Sequence, residues 1–495
     1  MARFNNAVQK KSTPNTVNLA GGKAFTQPDK LALVSILLTS MLKDQYYEKG
    51  DTAKDRLVEL IGKVDPLFAA KAAVFARNEF GLRSISHVAA GEIVNRVKGE
   101  TWTKDFVNAV VRRADDMTEI LAYYLGKYGK PVPNSLKKGL ARAIGRFDAY
   151  QLAKYKGGGK AISMVDVVNL VHPNPTERNK QALQQLINGT LVSTETWEAK
   201  LSEAGKSENA ADAKAEAWQE LLQSGKIGYF ALLRNLRNIS TQAPALIHRA
   251  AELLTNEVAI RKSLVMPFRF TTAYSEVSAL DRRLAVALSK AIDISCANVP
   301  ALPNSLVVID YSSSMGEGVD SAKGKGTLLG AILAKASNAD VMIFGNTAAY
   351  LPYNPLDSTM TMFEQFMRHN QGGWGWSSRR QTSKSQGGLI EVGHGTDFNA
   401  IFEKAQSAYD RIFIFSDMQG WRHGGAPTVA FNAYKKRTKC EPYIYSMDLT
   451  GHGTMMFPED KVAAIPGFSE KIFDLIKVME QDKQALIKKI EEVRF

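Results

Sequence analysis

The chain has 495 residues, 45% hydrophobic and 23% charged, with a formal net charge of +13. Its 37 Gly and 17 Pro are too few for a collagen-like or linker-like chain. Its two cysteines, Cys296 and Cys440, exclude a disulfide framework and a four-cysteine zinc site, and fit a reducing compartment.

Length alone predicts two to four domains. The excess charge is not evenly spread. Residues 1–300 carry 42 Lys and Arg against 29 Asp and Glu, a balance of +13. Residues 301–495 carry 21 of each and are neutral. Within the first part, 101–180 holds 14 basic and 7 acidic residues. The contrast predicts two units with different tasks, divided as 1–300 and 301–495. It also predicts a polyanionic partner, of which nucleic acid is the commonest.

The opening residues lack the apolar stretch of a signal peptide. The first apolar run, Leu31 to Leu42, lies between Lys30 and Lys43. At about 12 residues it is short of the ~20 that a bilayer span needs. The expectation is a soluble, cytoplasmic protein with no membrane association. Two apolar stripes with helical spacing follow, one around Leu33, Ile36 and Leu37 and one from Leu57 to Phe75. The same periodicity predicts helices over Asp105–Tyr128, Ser135–Tyr155, Asn179–Asn188 and Thr194–Leu222, with Ser135 as an N-cap. Breakers separate them at Gly50-Asp51, Pro131, Pro133, Gly157–Gly159, Pro173 and Pro175. Successive short helices without strands predict an α-solenoid of HEAT type with degenerate repeats.

The most basic helix reads SLKKGLARAIGRFDAYQLAKY. Lys138, Arg142 and Arg146 recur every four residues on one face, opposite Leu136, Leu140, Ile144 and Phe147. Lys154, Lys156 and Lys160 follow around the three glycines, and His172 precedes Pro173. Such a face and loop can track a phosphate backbone. A solvated outer face, and a histidine that caps a helix C-terminus, account for the same residues.

After Asn298–Pro303 the pattern changes to β-branched runs at Ser305–Asp310, Asp340–Phe344, Arg411–Ser416 and Tyr443–Met447. Helical segments at Gly326–Ser337, Thr359–Arg368 and Phe398–Ser407 alternate with them, which predicts a doubly wound parallel sheet. The stretch His369–Gly388 has no periodicity and mixes Trp374 and Trp376 with Arg379, Arg380 and Lys384. It reads as an exposed loop, whose aromatics could stack on single-stranded nucleic acid or simply tuck onto the domain.

The first run ends in Asp310, Ser312 and Ser314. Thr396 lies in a later loop, and Asp417 follows the third run. Each falls at a loop that switch-point geometry would bring to one crevice, where such sheets bind ligands. Carboxylates and hydroxyls suit a hard cation such as Mg²⁺. This DxSxS…T…D set resembles the metal-ion-dependent adhesion site of von Willebrand factor A domains. The resemblance implies that Ser312, Ser314 and Thr396 touch Mg²⁺ or another divalent cation, with Asp310 and Asp417 acting mainly through waters and hydroxyls. It also implies an open coordination position for a partner's carboxylate. No G-x-S-x-G, Walker A loop or H-E-x-x-H occurs, so no enzyme is expected. A hydrolase built on Asp417 and His394 ranks last.

The segment KYKGGGKAISMVDVVNLVHPNP and the segment Gly228–Arg237 are similar to motifs of the TROVE module of Ro-type RNA-binding proteins. That resemblance implies a ring of HEAT-like repeats closed by an A domain and acting as a monomer. It implies Y-type small non-coding RNA on the outer surface, and single-stranded ends of misfolded RNA in the ring, in RNA quality control. Lys154 and His172 match positions of the family's outer site. An arginine expected a few residues after Lys154 is replaced by the glycine run, with Lys156 and Lys160 as the available cations. A ribonuclease or other protein is a further expected partner. The competing expectation is a Mg²⁺-dependent protein-interaction module to which RNA is incidental.

Overall fold

The computed structural model describes residues 14–39, 50–97, 100–155, 161–192, 197–225, 227–263, 265, 267–296, 299–370, 388–457, 462–466, 476, 480, 482 and 484–495. From Asp29 to Cys296 the described chain is a succession of short helices, the longest 15 residues. Neighbours in sequence pack on one another: Pro66–Asn78 on Ser84–Arg96, that helix on Ala114–Tyr128, and Thr103–Val110 on Asn134–Ile144. Among the described residues no helix is long and apolar enough to cross a membrane.

Local chemistry explains where helices begin and where long predicted helices break. Asp65 caps one start by accepting from Phe68 N–H, with Pro66 in the first turn. Ser163 and Asp166 form a capping box at another. The single helix expected over Asp105–Tyr128 is interrupted at Val111–Arg113. There the Arg112 and Arg113 N–H groups both turn to Asp116 Oδ2, each at 2.9 Å. The helix expected over Ser135–Tyr155 splits into Asn134–Ile144 and Ala149–Lys154. Asn179 Nδ2 takes the Ile144 and Phe147 carbonyls, and Asp148 caps the second piece. Ser135 is not the N-cap: Pro133 holds that position and Ser135 lies in the first turn. The Thr194–Leu222 prediction resolves into Trp197–Ala204 and Ala210–Gln223, with 193–196 outside the described residues.

The strands are β1 (Thr16–Val17), β2 (Lys23–Thr26), β3 (Ser305–Asp310), β4 (Asp340–Phe344), β5 (Ala348–Leu351), β6 (Arg411–Ser416), β7 (Tyr443–Asp448), β8 (Thr454–Met455) and β9 (Val462–Pro466). Six form one sheet in the order β5-β4-β3-β6-β7-β9, parallel except for β5. Alternation along the strands explains why helices cover both faces. Val307, Ile309 and Phe415 share a core with the helices Ala322–Ser337 and Thr359–Met367. Leu306, Val308 and Ile414 share the other with Phe398–Lys404 and Thr428–Thr438. Gly326 and Gly330 let the first helix lie close, since a Cβ there would meet Leu449 at 2.9 Å and Ile309 at 2.8 Å.

A division at 300 follows the change from helices to sheet but not the packing of the chain ends. The N-terminal strand β2 pairs with β8. The C-terminal helix Ala485–Glu491 packs on Pro66–Asn78, and Phe495 lies against Trp102 and Phe106 at centroid distances of 6.2 and 5.9 Å. At the other end, Asp293 of the last helix before the sheet accepts from Thr359 N–H and Oγ1, at 3.2 and 2.6 Å. The helical part therefore touches the α/β unit through both its first and its last helices.

Asp116 is fully buried and accepts from Arg77 at 2.8 Å, Arg83 at 2.9 Å and His87 at 3.0 Å besides the two backbone N–H groups. Burial acts to raise its pKa, but His87 and the Arg77 guanidinium outweigh that and hold the carboxyl well below the usual carboxylate range. A depressed carboxyl pKa contributes stability that is present above the unfolded value, about 4, and is lost as pH falls below it. Asp116→Ala is expected to cost about 3–5 kcal/mol in chemical denaturation at neutral pH. The gap to the wild type should narrow as the pH drops below about 4.

Candidate functional site

The chain leaves β3 toward β4 on one side and β6 toward β7 on the other, so a crevice opens at the carboxyl ends of these two central strands. Asp310 ends β3, and the turn beyond it carries Ser312 and Ser314 with their Oγ atoms 3.2 Å apart. Asp417 follows β6 directly. The loop holding Thr396 is tied between them: Ser313 N–H donates to the His394 carbonyl at 3.0 Å, and Trp421 N–H to the Thr396 carbonyl at 3.2 Å. All five predicted metal residues are buried here.

Asp310 accepts from Ser312 N–H at 2.8 Å and from Ser416 Oγ at 2.6 Å. Burial and then the neighbouring Asp417 charge push its pKa up, against those hydrogen bonds. Burial likewise raises Asp417, opposed by His452 and the Ser314 hydroxyl. Asp417 Oδ1 takes Gln419 N–H at 3.0 Å, while its buried Oδ2 has no hydrogen-bond partner. Two adjacent buried carboxylates, one with an orphaned oxygen and both beside hydroxyls, are a donor set that a hard divalent cation would satisfy. Among the described residues no group of three or more His, Cys, Asp or Glu is arranged to hold a metal. This donor set has only two carboxylates and completes itself with hydroxyls.

The sequence did not point to Ser416, Gln419 or Asp448. Ser416 ends β6, and its hydroxyl fixes Asp310. Asp448, at the end of β7, is buried, accepts Thr450 and Gly451 N–H, and has its pKa raised by burial. Gln419 joins the crevice to the N-terminal strand: its Nε2 donates to the Asp417 carbonyl at 3.1 Å and its Oε1 accepts Leu19 N–H at 2.7 Å. Asn18 completes that seam with a 2.7 Å bond to the Gly420 carbonyl. A strand-end position followed by small and amide residues was the only available signal. His394 contributes its carbonyl, while His423 on the neighbouring loop pairs with Asp397 at 2.6 Å.

The basic segment divides by role. Lys138 is exposed. Arg142 pairs with Asp105. Arg146 donates to the Asn108 carbonyl at 2.7 Å and to that of Val111, closing the C-terminal end of Thr103–Val110. Lys154 is half-buried with Nζ 5.6 Å from the Tyr155 ring, whose other near cation is Arg113 at 4.7 Å. His172 is exposed and caps Met164–Val171 in the left-handed region at φ 45°. That helix packs on Asn134–Ile144, so His172 and the basic helix belong to one packed layer. Lys156, Lys160 and most of the Trp- and Arg-bearing loop, 371–387, lie outside the described residues.

The TROVE domain model matches residues 22–191 and 189–298. The chain belongs to the TROVE-domain family. It is 21% identical over 348 residues to Telomerase protein component 1 of Rattus norvegicus and 20% identical to that of Mus musculus. Those alignments cover 52% of this chain and 13% of each relative, so the chain spans a small fraction of their length. The crystal structure of the Deinococcus radiodurans RO (RSR) protein superposes with a TM-score of 0.58 at 17% identity, over 92% of this chain and all of that one. That likeness establishes the shared fold.

Because Arg146 closes a helix end, Arg146→Gln is expected to lower stability by about 1.5–3 kcal/mol. Lys138→Gln, on the exposed face, should stay within about 0.5 kcal/mol of the wild type. Thermal denaturation of the two variants side by side distinguishes these roles.

Proposed function

We propose that this chain is a non-catalytic RNA-binding scaffold whose helical part carries RNA and whose α/β unit holds a divalent cation. TROVE and Ro proteins bind RNA. One coincidence carries the reading: the TROVE match spans 22–298, and the whole +13 excess lies within residues 1–300. The finer reading is a HEAT-like ring closed by a von Willebrand A domain, supported by the docking of both ends of the helical part on the α/β unit. In this reading Y-type small RNA lies on the outer basic layer near Lys138, Lys154 and His172, with Lys156 and Lys160 alongside. Single-stranded ends of misfolded RNA enter the ring, in cytoplasmic RNA quality control, with a ribonuclease or other protein as a docked partner.

Phosphate contacts should dominate affinity. Binding of a structured RNA with a single-stranded 3′ tail is expected to weaken steeply with salt. Lys154→Ala/Lys156→Ala/His172→Ala should reduce the log–log slope by about 0.7 per lysine removed. An unchanged slope and affinity in a filter-binding titration would remove these positions from the site.

The orphaned Asp417 Oδ2 favours a second activity of the same chain, a Mg²⁺-held clasp for a partner's carboxylate. In this reading Ser312, Ser314 and Thr396 hold the ion, and Asp310 and Asp417 orient waters and hydroxyls around it. Mg²⁺ at about a hundred times its Kd is expected to stabilise the fold by about 2.7 kcal/mol. Asp417→Asn should abolish that stabilisation in a thermal-shift series with and without EDTA.

A further inference from the structure

A cleft of about 680 Å³ lies in the helical part, within the ~300–1,000 Å³ range of small-ligand sites. It sits between the C-terminal ends of Ser84–Arg96 and Ala114–Tyr128 and the first turns of Thr103–Val110 and Asn134–Ile144. Three lysines line it, Lys104, Lys130 and Lys138, against one acid, Glu100. All three lysines are exposed, and among the described residues none has an ion-pair partner. This separates them from Arg142 and Arg146 on the same basic segment, whose guanidinium groups are already engaged.

The rest of the lining complements a nucleotide. Tyr128, half-buried, supplies aromatic surface beside the buried Tyr124, and their hydroxyls are fixed, that of Tyr124 on Asn95 Oδ1 at 3.3 Å and that of Tyr128 on Glu92 Oε2 at 2.7 Å. The Asn95 side chain is also bonded to the Tyr128 hydroxyl, so the exposed amide on the lining is that of Asn134. Ser135 adds a hydroxyl in the first turn of Asn134–Ile144, a helix start with no side-chain capping bond. Lysines and a helix N-terminus suit a phosphate, while amide and hydroxyl groups beside aromatic rings suit a sugar and base.

We propose that this cleft binds a nucleotide unit of single-stranded RNA, with Lys104 and Lys130 on its phosphates and Lys138 linking it to the basic helix. The proposal rests on the RNA-binding reading above and adds phosphate contacts at two lysines that the basic helix does not contain. A free mononucleotide has the same phosphate chemistry. A strand is favoured because the cleft is an open groove in the segment of highest positive charge, continuous with Lys138.

The test uses the full chain and a fluorescein-labelled oligouridylate of about 12 nucleotides, within the usual single-strand site size. Anisotropy is read across a salt series for the wild type, Lys104→Gln/Lys130→Gln, and a charge-matched control, Lys436→Gln/Lys439→Gln, on the α/β unit. Loss of two phosphate contacts should weaken binding on the order of twentyfold at 0.1 M salt and flatten the log–log slope by about 1.4. The control should bind as the wild type does, and circular dichroism should show all three folded alike. Wild-type affinity in the cleft variant overturns the assignment while leaving the RNA-binding reading intact. Absence of binding by the wild type overturns both. Binding of uridine monophosphate that is lost in the cleft variant, with strand binding unchanged, overturns the assignment to a strand.

Discussion

The architecture depends on the chain closing on itself. Short helices in series bury only the faces they share with their neighbours, and an open row would leave both terminal helices with an uncovered face. Here the α/β unit meets both ends. Asp293 ties the last helix to Thr359, while the C-terminal helix and Phe495 return to Pro66–Asn78, Trp102 and Phe106. The N-terminal strand crosses back to β8. The sheet unit is therefore packed on both ends of the helical part and not joined at one end alone.

The same closure links two sites that are far apart in sequence. Gln419 bonds to the Asp417 carbonyl on one side and to Leu19 N–H on the other. The carboxylate–hydroxyl crevice and the turn between β1 and β2 thus share one side chain. Asp116 does comparable work within the helices: it gathers two arginines, a histidine and two backbone N–H groups, and in doing so sets the break between two helices.

Basic residues that look equivalent in a helical projection turn out to have different partners. Lys138, Arg142 and Arg146 share a spacing of four, yet Arg142 faces Asp105, and Arg146, in the turn after the helix, reaches carbonyls at the end of Thr103–Val110. A guanidinium with five donors is drawn to unsatisfied helix-end carbonyls, whereas a lysine on the same face stays in solvent. Lys104 and Lys130 join Lys138 because the first turn of Thr103–Val110 and the loop before Asn134–Ile144 meet there. No linear pattern relates them.

The sequence by itself determined the local content: the strands Ser305–Asp310, Asp340–Phe344 and Arg411–Ser416, the short helices before them, and the acidic and hydroxyl residues at strand ends. These follow from side-chain periodicity and capping chemistry, which act over a few residues. The carboxylate–hydroxyl crevice was legible for the same reason, since the strand order of a doubly wound sheet brings particular strand ends together. Tertiary structure alone decided the rest. The strands β1, β2, β5, β8 and β9 are too short or too weakly patterned to stand out, and exist because a partner edge is present. The breaks at Val111–Arg113 and at Gly145–Asp148 come from Asp116 and Asn179, buried side chains that draw backbone groups out of the helical ladder. Which cations remain unpaired for a ligand depends on partners more than 30 residues away, a distance over which periodicity carries no information.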